Sequence, residues 1–112
     1  MDSMALEGIR VVDFTWVFAG PYCTKQLADM GAEVIKIETA TRPDEVRRSP
    51  PHKDGVPGLN RNSRFNFFHR NKLSCTVNLK TTGGLDLVRE LVAMSDAVVC
   101  NYTPRVLPAF GL

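Results

Sequence analysis

The chain has little of what disulfide-rich, metal-binding or membrane-spanning proteins need. Its three cysteines, Cys23, Cys75 and Cys100, are odd in number and far apart, so they fit neither a disulfide framework nor a zinc spacing. The two histidines, His52 and His69, lie in no ligand pattern, and no metal is expected. No apolar run approaches the roughly 20 residues of a transmembrane helix. Met1-Asp2-Ser3-Met4 lacks the basic-then-apolar order of a secretory signal. A reduced, cytoplasmic location is the expectation. Fourteen Lys and Arg against 12 Asp and Glu leave a net charge of only +2, which argues for neither nucleic acid nor a membrane as partner. Catalytic signatures are missing too: there is no Gly-x-Ser-x-Gly elbow, no phosphate loop closing in Gly-Lys-Ser/Thr, and no His-Glu-x-x-His.

What remains is an ordinary globular composition, 44% hydrophobic and 23% charged over 112 residues, enough for one domain. Ile9-Arg10-Val11-Val12-Asp13-Phe14 is rich in β-branched residues and follows Gly8, so it reads as a buried strand, with Arg10–Phe14 expected in the sheet. Pro21 suits the first position of a helix, Cys23, Leu27 and Met30 share one helical face, and Gly31 can cap its end. Glu33–Glu38 is a second strand, and strand, helix, strand with tight joints is the pattern of a parallel βαβ unit. From Thr39 to Arg64, Pro43, Pro50, Pro51, Pro57, Gly55 and Gly58 break any periodicity, which predicts a long loop, functional or mobile rather than inert, and no domain boundary. Phe65–Phe68 should pack. Ser74–Leu79 alternates as a third strand, and Leu85, Val88, Leu91 and Val92 form a helical stripe. Ala97–Cys100 is a fourth strand, and a final turn after Pro104 should be interrupted by Pro108. The four strands are expected to be parallel. The apolar ending, Phe110-Gly111-Leu112, suggests part of something longer.

The turn after the first strand reads Thr15-Trp16-Val17-Phe18-Ala19-Gly20-Pro21 and lacks the Gly-x-Gly-x-x-Gly fingerprint, so a conventional NAD site is not expected. Ligands of open α/β sheets sit outside the carboxyl ends of the strands, which places Asp13 to Ala19, Thr39 and Asn101 to Thr103 on one rim. Trp16 and Phe18 could face a flat ring, although aromatics in such a turn more often pack. Two basic groups could meet an anion or simply be solvated: Arg70, Lys72 and Lys80 around the third strand, and Arg42, Arg47 and Arg48 in the long loop. Asp13 could serve as a nucleophile or base, but a carboxylate closing a strand more often caps the turn after it. His69 is expected to be a surface or packing residue.

Four blocks, in order, carry a resemblance. They are Leu6–Phe14 with Ala19-Gly20-Pro21 and Leu27–Glu38; Asn71–Ser74 through Val77–Lys80; Ser95–Val99; and Asn101–Pro104. Together they closely resemble the opening of the class III CoA-transferases, the family of formyl-CoA transferase, carnitine CoA-transferase and α-methylacyl-CoA racemase. The resemblance implies an α/β fold, a Rossmann-like parallel sheet with crossover helices, with residues 1–112 as the N-terminal part of a family domain that includes the long loop 39–64. It implies coenzyme A or acyl-CoA as substrate, a free carboxylic acid as its partner, and an interlocked homodimer.

Contacts to CoA, carried over by position, fall on Phe18 and Ala19, on Thr39, on Val77, Asn78, Leu79 and Lys80, and on Asn101, Tyr102 and Thr103. At Thr39 the family often has arginine, so this chain departs there. Family chemistry proceeds through an aspartyl-CoA thioester on a downstream aspartate, and no catalytic residue is expected within this chain. A racemase of the same family, or a non-catalytic CoA-binding fragment, are the alternatives. The long segment from Thr39 to Arg64 resembles transferases more than the racemase.

Overall fold

Arg10–Asp13 (β1), Glu33–Glu38 (β2), Leu73–Thr76 (β3) and Ala97–Val99 (β4) form one parallel sheet in the computed structural model of the chain, which describes residues 2–112. The lateral order is β3-β2-β1-β4, so the chain winds outward from β1 to β3 and then crosses back to the other side of β1. The expected parallel α/β architecture is borne out. Successive residues of β1 face opposite sides of the sheet. Val11 and Val34 pack with Ala28 and Ala32 around helix α1 (Ala19–Asp29). Val12, Phe14 and Ile37 pack with Val88 of helix α4 (Thr82–Ala93). With both faces covered, β1 and β2 read as nearly continuous apolar runs. Val12, Phe14 and Val34 are fully buried, each burial worth roughly 1.5–3 kcal/mol.

Helix α1 ends where Gly31 allows it. The Gly31 N–H donates to the Ala28 carbonyl and the Ala32 N–H to the Leu27 carbonyl, with Gly31 at φ +101°. That is a Schellman cap, which requires a left-handed residue. Pro21 lies at the third helical position rather than the first, still within the turn whose N–H groups have no intrahelical partner.

β1 and β4 each end one residue earlier than expected, at Asp13 and Val99, and three differences are larger. β3 starts at Leu73 and stops at Thr76, not Leu79, because its partner β2 ends at Glu38; after the Val77 N–H donates to the Glu38 carbonyl there is no strand left to pair. Residues 39–64 are not bare loop: they carry helix α2 (Glu45–Arg48), a 3₁₀ turn at Lys53–Gly55, and Asn62, which opens helix α3 (Ser63–Phe68). Asp44 and Asn62 cap these helices, accepting from the Val46 and Phe65 N–H groups (3.1 and 2.8 Å). Pro108 sits inside helix α5 (Val106–Ala109) without breaking it, since at the third position it forfeits no hydrogen bond.

Arg47 ties this segment to the sheet. Its guanidinium donates twice to Glu38 (2.8 and 2.7 Å), also to the Leu59 carbonyl and Asn60 Oδ1, and lies 3.6 Å from the Phe65 ring centre. Both side chains of the ion pair are largely buried. Burial works to raise the Glu38 carboxyl, but hydrogen bonds and charge from Arg47 outweigh it and hold the group below its ordinary value. Removing one partner leaves a buried charge unpaired, so Arg47→Ala should cost about 3 kcal/mol. Arg47→Lys should recover only part, since an ammonium cannot make the fork. Urea unfolding midpoints of the two variants check this, and a loss below about 1 kcal/mol for Arg47→Ala would contradict it.

Candidate functional site

Between the ends of β1 and β4 the strand order reverses, the place where open α/β sheets hold ligands. A cleft of about 750 Å³ elsewhere is shallow and aromatic, lined by Phe18, Ser63, Arg64, Phe67 and Phe68. The cleft at the reversal holds about 620 Å³ and is lined from four segments: Trp16 and Val17; Thr39, Thr41 and Arg42; Asn78, Leu79 and Lys80; and Asn101, Tyr102, Val106 and Phe110. Both volumes are of small-molecule size, but only the second is walled by strand ends and carries two cations with no acid among its lining.

Six residues proposed from the resemblance therefore meet in one place: Thr39, Asn78, Leu79, Lys80, Asn101 and Tyr102. Ala19, Val77 and Thr103 are not among the lining residues, and Phe18 turns to the other cleft, 5.3 Å from Phe68 between ring centres. Arg42 and Trp16 were not in that set. Arg42 stands three residues past Thr39, its guanidinium 5.3 Å from the Trp16 ring centre, so a cation reaches the cleft although Thr39 has none. Trp16 in turn meets Tyr102 edge-on at 6.4 Å. Burial pushes the Tyr102 phenol up to about 12, so it stays neutral at physiological pH.

The turn that forms one wall is built by side chains. The Thr15 N–H donates to Asp13 Oδ1 (2.8 Å), and the Thr15 carbonyl accepts from Lys36 Nζ. The Trp16 N–H donates to Asn101 Oδ1 (2.9 Å), and the Trp16 carbonyl accepts from Asn101 Nδ2 (2.8 Å). The Val17 N–H donates to Asp44 Oδ2 (3.2 Å). Asn101 is thus committed to positioning Trp16. Val17 has φ +69°, a left-handed conformation that costs a β-branched residue roughly 1–3 kcal/mol. Gly20 is required where α1 approaches this turn, since a Cβ there would lie 2.6 Å from the Thr15 Cβ.

Beneath the turn lies a buried charge cluster. Asp13, fully buried, accepts from Thr15, from Thr24 Oγ1 (2.7 Å) and from Lys72 Nζ (2.9 Å). With its oxygens so occupied it caps the turn and is no free nucleophile. Lys72 therefore leaves the group of basic residues that could meet an anion. Arg70 leaves it too, paired with Asp29 at 2.8 Å. Burial lowers the ammonium pKa of both Lys36 and Lys72, against the pull of Asp13. The His69 ring stacks on Phe65 at 4.3 Å, and Nδ1 accepts from Lys72 Nζ (3.0 Å). His69 is a packing residue, as expected.

Burial, followed by the charges of Lys36, Lys72 and Arg47, drives the His69 pKa down from 6.5 to about 2. Between those values the unfolded chain binds a proton that the native one refuses. The stability held by neutral His69 is complete above about pH 6.5 and declines as pH falls, by at most about 1.4 kcal/mol per pH unit. His69→Asn keeps an acceptor for Lys72 without a titrating ring. Its stability should therefore fall less steeply than wild type between pH 6.5 and 4.5 in urea titrations, and parallel slopes would refute the neutral histidine.

Comparison with known proteins gives the context. The model of the family described as CoA-transferase family III matches residues 6–112. Mouse succinyl-CoA:glutarate CoA-transferase is 44% identical over 99% of this chain, and formyl-CoA:oxalate CoA-transferase of Bradyrhizobium sp. (strain ORS 278) is 38% identical over 97%. This chain spans about a quarter of the length of each, 25% in both cases. Among solved structures, a CAIB/BAIF family protein from Brucella suis superposes with a TM-score of 0.85 at 33% identity, covering 99% of this chain and 29% of that one. Sequence and fold agree, and the chain belongs to CoA-transferase family III.

Proposed function

We propose that this chain is the N-terminal, CoA-binding part of an acyl-CoA:carboxylic acid CoA-transferase, and that the cleft at the strand reversal holds coenzyme A. The observation that carries this reading is the union in one cleft of six residues proposed for CoA contact, Lys80 among them, with a second cation, Arg42, and no acid. Adenine would lie against the apolar and aromatic wall of Trp16, Leu79, Tyr102, Val106 and Phe110. Arg42 and Lys80 would meet phosphate oxygens, Arg42 as a planar fork and Lys80 as a point charge. Phe18, Ala19, Val77 and Thr103 flank these groups and would contribute backbone contacts. The names of the relatives support transfer between acyl-CoA and a carboxylic acid.

The reacting carboxylate would belong to a region beyond these residues, in a cytoplasmic enzyme that acts as an interlocked homodimer. Asp13, the one carboxylate at the rim of β1, is engaged in its cluster and would not replace it. CoA transfer through an acyl anhydride and an enzyme thioester needs a free carboxylate as nucleophile. These 112 residues alone should therefore give no acyl-CoA from a donor thioester and a panel of free acids, whereas a polypeptide extended through the family's downstream aspartate should turn over. Turnover by the 112 residues would overturn the assignment and make Asp13 the first residue to replace.

Binding is tested separately. In the full-length protein, Lys80→Ala should weaken CoA by about 1–3 kcal/mol in calorimetric titration, the loss of one charge-assisted hydrogen bond, with a shallower salt dependence. Unchanged affinity together with unchanged salt dependence would return Lys80 to the solvated surface.

A further inference from the structure

We propose that Asp44 is a positioning residue for the CoA cleft: by holding Val17 in its left-handed conformation, it fixes the wall that carries Trp16. The inference rests on the assignment of the cleft to CoA but concerns a residue that is not part of the cleft lining. Asp44 is buried, and its two oxygens divide the work. Oδ1 caps helix α2 through the Val46 N–H, and Oδ2 accepts from the Val17 N–H. The Lys36 ammonium stands 4.0 Å from Oδ2 and donates to the Thr15 carbonyl two residues earlier. One buried ion pair thus grips the turn on both sides of Trp16, while Asn101 grips Trp16 itself.

Valine is poorly suited to φ +69°, and a turn left to its own preference would relax to negative φ. Relaxation would swing the peptide that joins Trp16 to Val17 and move the indole off its place between Arg42 and Tyr102. The Asp44 carboxylate opposes this by giving the Val17 N–H a charged acceptor that no backbone group supplies. Since Asp44 also caps α2, two residues beyond Arg42, the same side chain couples the wall bearing Trp16 to the segment bearing the cation that faces it.

A thermodynamic cycle in the full-length protein separates this role from plain helix capping. Asp44→Ala should lower CoA affinity at least tenfold by calorimetry. Hydrogen exchange of the ligand-free protein should then quicken in the peptide spanning residues 14–20 as well as in α2. Val17→Gly supplies the second arm of the cycle whatever its own affinity, since its side chain lines the cleft and glycine reaches positive φ without strain. In the Val17→Gly background, Asp44→Ala should cost no more than about threefold. Additive losses, or faster exchange confined to α2, would reduce Asp44 to a helix cap and overturn the proposal. So would a loosened turn in Asp44→Ala with CoA affinity intact. A wild-type protein that fails to bind CoA would overturn the assignment of the cleft and with it the role in CoA binding, while the exchange data would still report whether Asp44 holds the turn.

Discussion

Four buried charges, Asp13, Lys36, Asp44 and Lys72, sit beneath the turn that follows β1, and the candidate site depends on how they are satisfied. Each would be costly to bury alone, and each is paired or hydrogen-bonded here. Three of them also reach the backbone of the turn, Asp13 and Lys36 at Thr15 and Asp44 at Val17. The turn has no glycine fingerprint to shape it and needs an external template. Asp13, Lys36, Asp44 and Asn101 provide one, each from a different strand end or connecting segment. A Gly-rich phosphate loop achieves close backbone approach by omitting side chains. This turn instead keeps bulky side chains, Trp16 and Val17, and constrains the backbone from below.

That constraint connects fold to function. The lateral order β3-β2-β1-β4 opens a crevice at the ends of β1 and β4. The apolar face under α4 supplies Tyr102, Leu79 and neighbouring groups that continue from the core into the crevice wall. On the opposite face the carboxyl ends of β1 and β2 turn polar, with Asp13 closing β1 and Lys36 and Glu38 in the second half of β2. One face of the sheet thus gives the cleft its apolar wall, and the other gives its turn a rigid foundation.

Much of the fold was legible because the β-branched runs of β1 and β2 and the stripe of α4 are local signals. The end of β3 was not, since Val77 and Leu79 still alternate inward and only the end of β2 decides where pairing stops. The short helices in residues 39–64 were hidden among prolines and charges, although Asp44 before Glu45, with Arg47 and Arg48 in the last turn, has the charge order of a short capped helix. At the site, positions carried over from the family assembled Thr39, Asn78, Leu79, Lys80, Asn101 and Tyr102. They missed Arg42, whose value appears only once Trp16 is seen beneath it. Lys72 and Asp13 each looked available for chemistry because sequence shows a charge but not its partner. Their pairing across 59 residues is a tertiary fact.

The most direct test of the account is to locate bound CoA by photolabelling. An 8-azidoadenine analogue of CoA, bound to the full-length protein and irradiated, reports where the adenine sits when the labelled peptides are sequenced by mass spectrometry. Label within this segment is expected in the peptides bearing Trp16, Asn78 to Lys80 and Tyr102 to Phe110, and excess CoA should suppress it. Competable label concentrated instead on Ser63 to Phe68, with those peptides unlabelled, would place the nucleotide in the aromatic cleft and contradict the account.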